Sequence, residues 1–294
     1  MDNLDLTPTP AGRDRRGTPS GLTRSVAGEL ARLTDRDKWL LGLLAEHRVL
    51  TTEQITRIAF DNPRRARRRL LTLHQRGVLH RFRGVPRPGS EQWRWTLGPV
   101  GAATVAAAAG IPAPRPAAVQ ATVDRLAASP RLAHLLAIND FFCRLISHAR
   151  HHRETRLLRW WSERQATTAT GGLVRPDGAG LWHHNGSRVA FWLEMDRGTE
   201  PLPRLVSKII DGYQRLSGTP IGWPVLFMLP TSARETNLHT QLARTTTTAG
   251  QPVVAATATG GERGAHPAAA IWWPVGQPQA RCRLADLPTS GVGT

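Results

Sequence analysis

The chain has 294 residues, enough for two domains that each bury a core. Its 39 basic residues against 22 acidic ones give a formal charge of +17, which favours a polyanionic partner such as nucleic acid over a neutral small-molecule role. Two cysteines far apart give neither a disulfide framework nor metal-ligand spacing, and no stretch is apolar enough to span a membrane or direct export, so a cytoplasmic location is expected.

Residues 1–33, rich in Thr, Pro, Gly and Arg with no apolar period, read as a disordered basic tail. Helical patterning starts at Thr34, an N-cap for a helix whose Trp39, Leu40, Leu43 and Leu44 form one stripe. Thr51 with Gln54 is a capping-box signature for a short second helix. Asn62-Pro63 opens a third, with Leu70, Leu71 and Leu73 as its buried side and Gly77 as its stop. Arg64, Arg65, Arg67, Arg68 and Arg69 load the first two turns of that helix, and residues 78–97 alternate like a hairpin carrying Arg81, Arg83 and Arg87. Between residues 61 and 94 stand ten arginines against two acids. Three helices followed by a basic hairpin are the order of a winged helix-turn-helix, which lays its third helix in the major groove of duplex DNA and its wing against phosphate or the minor groove. This domain is expected to span 34–109 and to bind double-stranded DNA through those arginines. Its alanine-rich end, 98–109, suits helix pairing in a homodimer.

Residues 110–118 place proline at alternate positions from Pro112 to Pro116, which predicts an extended, semi-rigid linker, 110–129 in all. From 130 to 286 helix and strand patterns alternate: a helix over 130–151, strands over 157–161, 223–229, 253–257 and 269–274, and a helix over 233–247, with 287–294 as a tail. The fold class is therefore α/β, or α+β across the two domains. No Gly-rich phosphate loop, nucleophile elbow or paired-cysteine knuckle is present. The only tyrosine, Tyr213, is spaced with Ile209, Ile210 and Leu216 as a core residue.

Within this second half, residues 174–196 read as one β-hairpin turned at Asn185-Gly186, because both residues tolerate the positive φ of a type I′ turn. Partners mirrored about that turn put Asp177 opposite Glu194, with Cβ atoms about 5 Å apart, and Asp196 two steps along the same face. Opposed carboxylates repel unless a cation or a proton lies between them. An acid that interrupts a buried strand is costly unless it is paired or holds a metal. Spacing alone leaves both readings open, a metal site or an ion pair with one of the many arginines.

The run Pro176-Asp177-Gly178, the hairpin, the stretch from Glu194 through Met195, Asp196, Arg197, Gly198 and Thr199 to Glu200, and the helix with Lys208 resemble the replication-relaxation family of actinobacterial plasmids and other mobile elements. The second half in turn resembles the PD-(D/E)xK, or restriction-endonuclease-like, α/β fold with a mixed sheet. That resemblance implies that Asp177, Glu194 and, just beyond the first strand, Glu163 hold magnesium, and that a lysine beside them orients or activates water. The nuclease pattern has that lysine two residues after the Glu, where this chain has Asp196. The extra acid would oppose an approaching phosphate, with Arg175, which faces it across the hairpin, as its neutraliser. Lys208 is the alternative lysine, but on a helical wheel it shares a polar face with Arg204, Asp211 and Arg215 and reads as solvated. The catalytic set is thus Asp177, Glu194, Asp196 and Lys208. The expectation is a DNA-binding protein of a mobile element, acting in replication, relaxation or transfer, with weak or lost nuclease activity. The alternatives are an active magnesium-dependent endonuclease or nickase, and a winged-helix transcriptional regulator whose second half senses a ligand or dimerises.

Overall fold

Side-chain caps set where the first helices begin. The computed structural model describes residues 28, 30–83, 92–246, 253–260, 266–277 and 280–288, which divide into two units, one through Asn139 and one from Asp140. In the first, Thr34 and Asp37 form a capping box at the start of α1 (Asp35–His47), and Thr51 and Gln54 form another at α2 (Thr52–Ala59). Asn62 accepts from the Arg64 and Arg65 N–H groups to open α3 (Pro63–Gln75), with Pro63 in the first turn. Gly77, at φ 69, ends α3 in the left-handed conformation. A small antiparallel sheet follows, ordered β1 (Leu50–Thr51), β3 (Arg94–Leu97), β2 (Leu79–Phe82). Leu40, Leu41, Leu44, Ile55, Ile58, Leu70, Leu73 and Trp95 are buried in this unit, whereas Leu71 is 39% exposed. Leu71 thus lies outside the core that spacing assigned to it.

The chain continues into α4 (Pro99–Ala108) and α5 (Pro116–Ala127). Residues 116–127 are therefore helical where an extended linker was expected. Pro116 occupies the first turn, a position that needs no N–H, and is not the end of an extended run. Val119, Val123 and Leu126 are buried at helical spacing, and Leu126 packs with Val49 and Leu132, against which Phe82, Leu135 and Leu136 also lie. The boundary between the units falls inside α6 (Leu132–His151).

The second unit is built on a six-stranded mixed sheet ordered β4 (Thr155–Ser162), β5 (Gly178–His184), β6 (Ser187–Met195), β7 (Val225–Leu229), β8 (Ala255–Thr259), β9 (Trp273–Pro274). The pairs β4–β5 and β5–β6 are antiparallel, β6–β7 and β7–β8 parallel, and β8–β9 antiparallel. A short helix not expected from the sequence, α7 (Glu163–Ala169), is capped by Ser162 directly after β4. The β6-to-β7 crossover carries α8 (Leu202–Ser207), which runs on as a π turn (Lys208–Gly212) and a 3-10 turn (Tyr213–Leu216); α9 (Ser232–Thr246) lies between β7 and β8. Central strand β6 is covered on both faces. Phe191 packs with Phe141 and Phe142 of α6, while Trp192 lies in a cluster with Leu205, Ile209, Tyr213, Leu238 and Leu242. The architecture is thus mixed α+β. Among the described residues no helix is long and apolar enough to cross a membrane.

Candidate functional site

Four of the five arginines at the start of α3, Arg64, Arg65, Arg67 and Arg68, are exposed, while Ala66, Leu70 and Leu73 bury the other side of the helix. Arg69 is committed elsewhere. Its Nε lies 3.0 Å from Asp37 Oδ1 and its Nη2 bonds Oδ2, tying α3 to α1. Asp37 is only 2% exposed. Burial pushes its carboxyl up, but hydrogen bonds from Arg69 and Thr34 outweigh that and hold it below its usual value. Arg81 and Arg83 place their guanidiniums 4.1 and 3.9 Å from the Trp93 ring centroid, cation–π contacts that hold both charges at the end of β2. Arg87 lies outside the described residues.

In the second unit the hairpin register is the one that Asn185-Gly186 predicts. His184 pairs with Ser187 and Gly178 with Leu193, and the turn residues have φ 46 and 83. The next position out is Asp177 opposite Glu194. The Asp177 N–H donates to the Leu193 carbonyl at 3.0 Å, and Asp177 Oδ2 accepts from the Met195 N–H at 2.8 Å.

Glu194 is 1% exposed, and both of its oxygens are partnered: Lys208 Nζ donates to Oε2 at 2.7 Å and the Tyr213 hydroxyl to Oε1 at 2.7 Å. Lys208, which a helical wheel turns toward solvent, therefore reaches the acids, with a side chain one-third exposed. The π turn is the reason. Lys208 and Tyr213 are five residues apart, which α geometry would splay by about 140°, whereas a π turn hydrogen-bonds across five residues and brings both to one carboxylate. Gly212 closes this turn where a Cβ would come within 3.1 Å of Val174.

Burial and then the negative charge of Asp177 raise the Glu194 carboxyl to about 7 against the pull of Lys208. Burial would lower the Lys208 ammonium, but attraction to Glu194, Asp177 and Glu200 prevails and raises it. The Tyr213 hydroxyl is raised by burial and by Glu194. The cluster is thus a buried carboxyl poised near neutrality, a second carboxylate opposing it across the strand, and one ammonium between site and solvent.

Asp196 and Glu163 are engaged differently from the expectation. Asp196 is buried and clamped by Arg234, whose Nη2 lies 3.2 Å from Oδ1 and whose Nε bonds Oδ2; the same guanidinium donates to the Glu200 carbonyl. The Gly198 N–H donates to Asp196 Oδ1 at 2.8 Å, with Gly198 at φ 80. The neutraliser of Asp196 is therefore Arg234 of α9, which no local pattern marks, and not Arg175. Arg175 instead pairs with Glu163 at 3.1 Å on the surface. Glu163 is not drawn into the Asp177–Glu194 pair, and among the described residues no group of three or more His, Cys, Asp or Glu side chains is placed to hold a metal ion.

The raised Glu194 carboxyl has a stability consequence. The folded state holds a proton that the unfolded chain releases near 4.5, so this contribution is complete below that pH and is lost as pH rises through about 7. Buried His47 and half-buried His266, held neutral by desolvation down to about 3 and about 4, act in the opposite sense, losing stability as pH falls. The difference between wild type and Glu194→Gln isolates the carboxyl. Thermal melts from pH 5 to 8 should show wild type losing stability relative to Glu194→Gln, by up to about 3 kcal/mol. A flat difference would refute the burial of an ionisable Glu194.

A family model described as Replication-relaxation matches residues 41–227. No curated protein and no solved structure matches the chain.

Proposed function

We propose, as the chain belongs to the replication-relaxation family, that it is a DNA-binding protein in which a winged helix grips duplex DNA and a nuclease-like second domain nicks it by metal-dependent phosphodiester hydrolysis. The observation that carries the nicking is the 2.7 Å contact between Lys208 Nζ and Glu194. It supports an Asp on one strand, a Glu on the next and a lysine on the following helix acting as one site, despite Asp196 at the position where the nuclease pattern has its lysine. Arg234 already neutralises Asp196, so the added acid does not oppose a phosphate as it would if unpaired.

Asp177 and Glu194 fit a hard divalent cation. They are oxygen donors facing each other across adjacent strands, and their mutual repulsion is what such a cation relieves. Magnesium is commonly held by one or two carboxylates, with waters and substrate phosphate completing the shell, so a third acid is not required. When bound, it would supply charge to the phosphodiester oxygens and an acidified water. Lys208, freed from Glu194, places an ammonium where negative charge develops. Tyr213 keeps its hydrogen bond to Glu194 and so fixes that carboxylate's orientation. Cation binding needs Glu194 ionised, so affinity rises with pH through about 7.

Duplex grip is supported by the helix and strand order α1, β1, α2, α3, β2, β3, by the exposed Arg64, Arg65, Arg67 and Arg68, and by Arg81 and Arg83 on Trp93. Binding of a labelled duplex should weaken steeply with salt, each neutralised phosphate adding about 0.9 to the slope of log K on log salt. Arg64→Ala with Arg68→Ala should lower that slope by about 2. Unchanged binding in the double variant would remove α3 from the interface. The nicking is tested with full-length protein, supercoiled plasmid and magnesium or manganese; the expected result is an open-circular product that EDTA abolishes. A second reading, a DNA-binding scaffold without cleavage, is favoured by the near-complete burial of Glu194 with both oxygens partnered. Duplex binding without nicking under either metal selects it.

A further inference from the structure

Beside the carboxylates lies an aromatic group that the hydrolytic chemistry does not use. Across the sheet Trp161 of β4 pairs with Ala179 of β5, which pairs with Trp192 of β6, so all three share a face. Glu194 stands two residues beyond Trp192 on that face, about 7 Å along the strand, and Asp177 two residues before Ala179. Trp192 is fully buried and forms the floor. Trp223, from the loop before β7, stacks on it at 4.6 Å and 25°, and Trp161 lies 5.5 Å from Trp223. Both upper rings are only half-buried. The loop is pinned before any ligand arrives, the Trp192 indole N–H donating to the Ile221 carbonyl and that of Trp223 to the Pro220 carbonyl. Beside Trp161, the exposed Arg159 holds its guanidinium 5.9 Å from the ring.

We propose that Trp161 and Trp223 form a stacking platform for an unpaired nucleobase, so that the second domain takes DNA with a single-stranded stretch in preference to intact duplex. This rests on reading that domain as one that acts on DNA. Two rigid rings with an adjacent guanidinium are what a base and its phosphate require, since every base has a π face and its backbone is anionic. An amino-acid or lipid occupant would not call on the arginine in the same way, and the chain's charge of +17 matches a polyanion. The platform lies one side-chain step from Glu194, so a base stacked there brings its backbone toward the acids.

The test uses full-length protein and two fluorescein-labelled DNAs of one sequence, a fully paired duplex and the same duplex with a central gap of unpaired thymidines, without metal. Wild type should bind the gapped DNA at least about 5-fold tighter, the lower end of what one stacked base contributes. Trp161→Ala and Trp223→Ala should remove that preference and leave duplex affinity unchanged, whereas Trp161→Phe should keep part of it. Arg159→Ala, at an exposed position that cannot unfold the sheet, should reduce it about 2-fold. Equal affinity of wild type for both DNAs overturns the platform, as does a preference that survives Trp223→Ala in folded protein. Plasmid nicking reads the hydrolytic site separately: nicking with no gap preference defeats the platform alone, and a gap preference with no nicking defeats the nuclease reading alone.

Discussion

Lys208→Ala should abolish manganese-dependent nicking of supercoiled plasmid, a loss of about 100-fold or more, without weakening manganese binding. The expectation follows from the ion pair. Lys208 Nζ lies 2.7 Å from Glu194 Oε2 and competes with a cation for that oxygen, so its removal frees a ligand while deleting the charge that steadies the phosphate in the transition state. Glu194→Gln should lose nicking to the same degree but also lose metal affinity, because a neutral amide replaces a ligand. Calorimetry with manganese separates the two variants. If both lose activity and metal together, Lys208 is acting through the fold and not on the substrate; if neither loses nicking, the site is elsewhere. The substitution that would recreate the nuclease sequence pattern, Asp196→Lys, should not raise activity. It sets an ammonium against Arg234, which now clamps Asp196 and the Glu200 carbonyl, and removes the acceptor of the Gly198 N–H.

Arg69→Ala should destabilise the first unit by about 3 kcal/mol, the range for breaking one side of a buried pair, and leave the salt slope of DNA binding unchanged. Asp37 is 2% exposed and would keep its Thr34 hydrogen bonds but lose the Arg69 guanidinium that bonds both of its oxygens. A charge left in that setting is the cost. Asp37→Asn in the same chain should restore part of the loss, since the amide can still serve Thr34 without a charge. Chemical denaturation measures the first quantity and duplex titration at several salt concentrations the second. An Arg69→Ala protein of wild-type stability with a lowered salt slope would return Arg69 to the DNA-contact set with Arg64 and Arg68.

Features closed within a few residues were legible before any fold was known. Thr34, Thr51 and Asn62 cap helices because each side chain reaches N–H groups two or three positions on. Asn185-Gly186 sets the hairpin register because the left-handed backbone of that turn leaves one pairing for the strands, and Asp177 then has to face Glu194. The family resemblance was legible in the same short runs, and the matched residues 41–227 bear it out. The partners of the buried charges, by contrast, follow from long-range packing. Asp37 finds Arg69, and Asp196 finds Arg234 on the helix beyond β7, 38 residues along the chain, because a charge taken from water accepts whichever counter-ion the packing delivers, and sequence distance does not enter. Pro116 opens a helix, not a linker, because Leu126 gains a core with Val49 and Leu132. Lys208 turns inward because a single π turn changes the angular step of the chain, a departure that a wheel drawn at constant α pitch cannot contain.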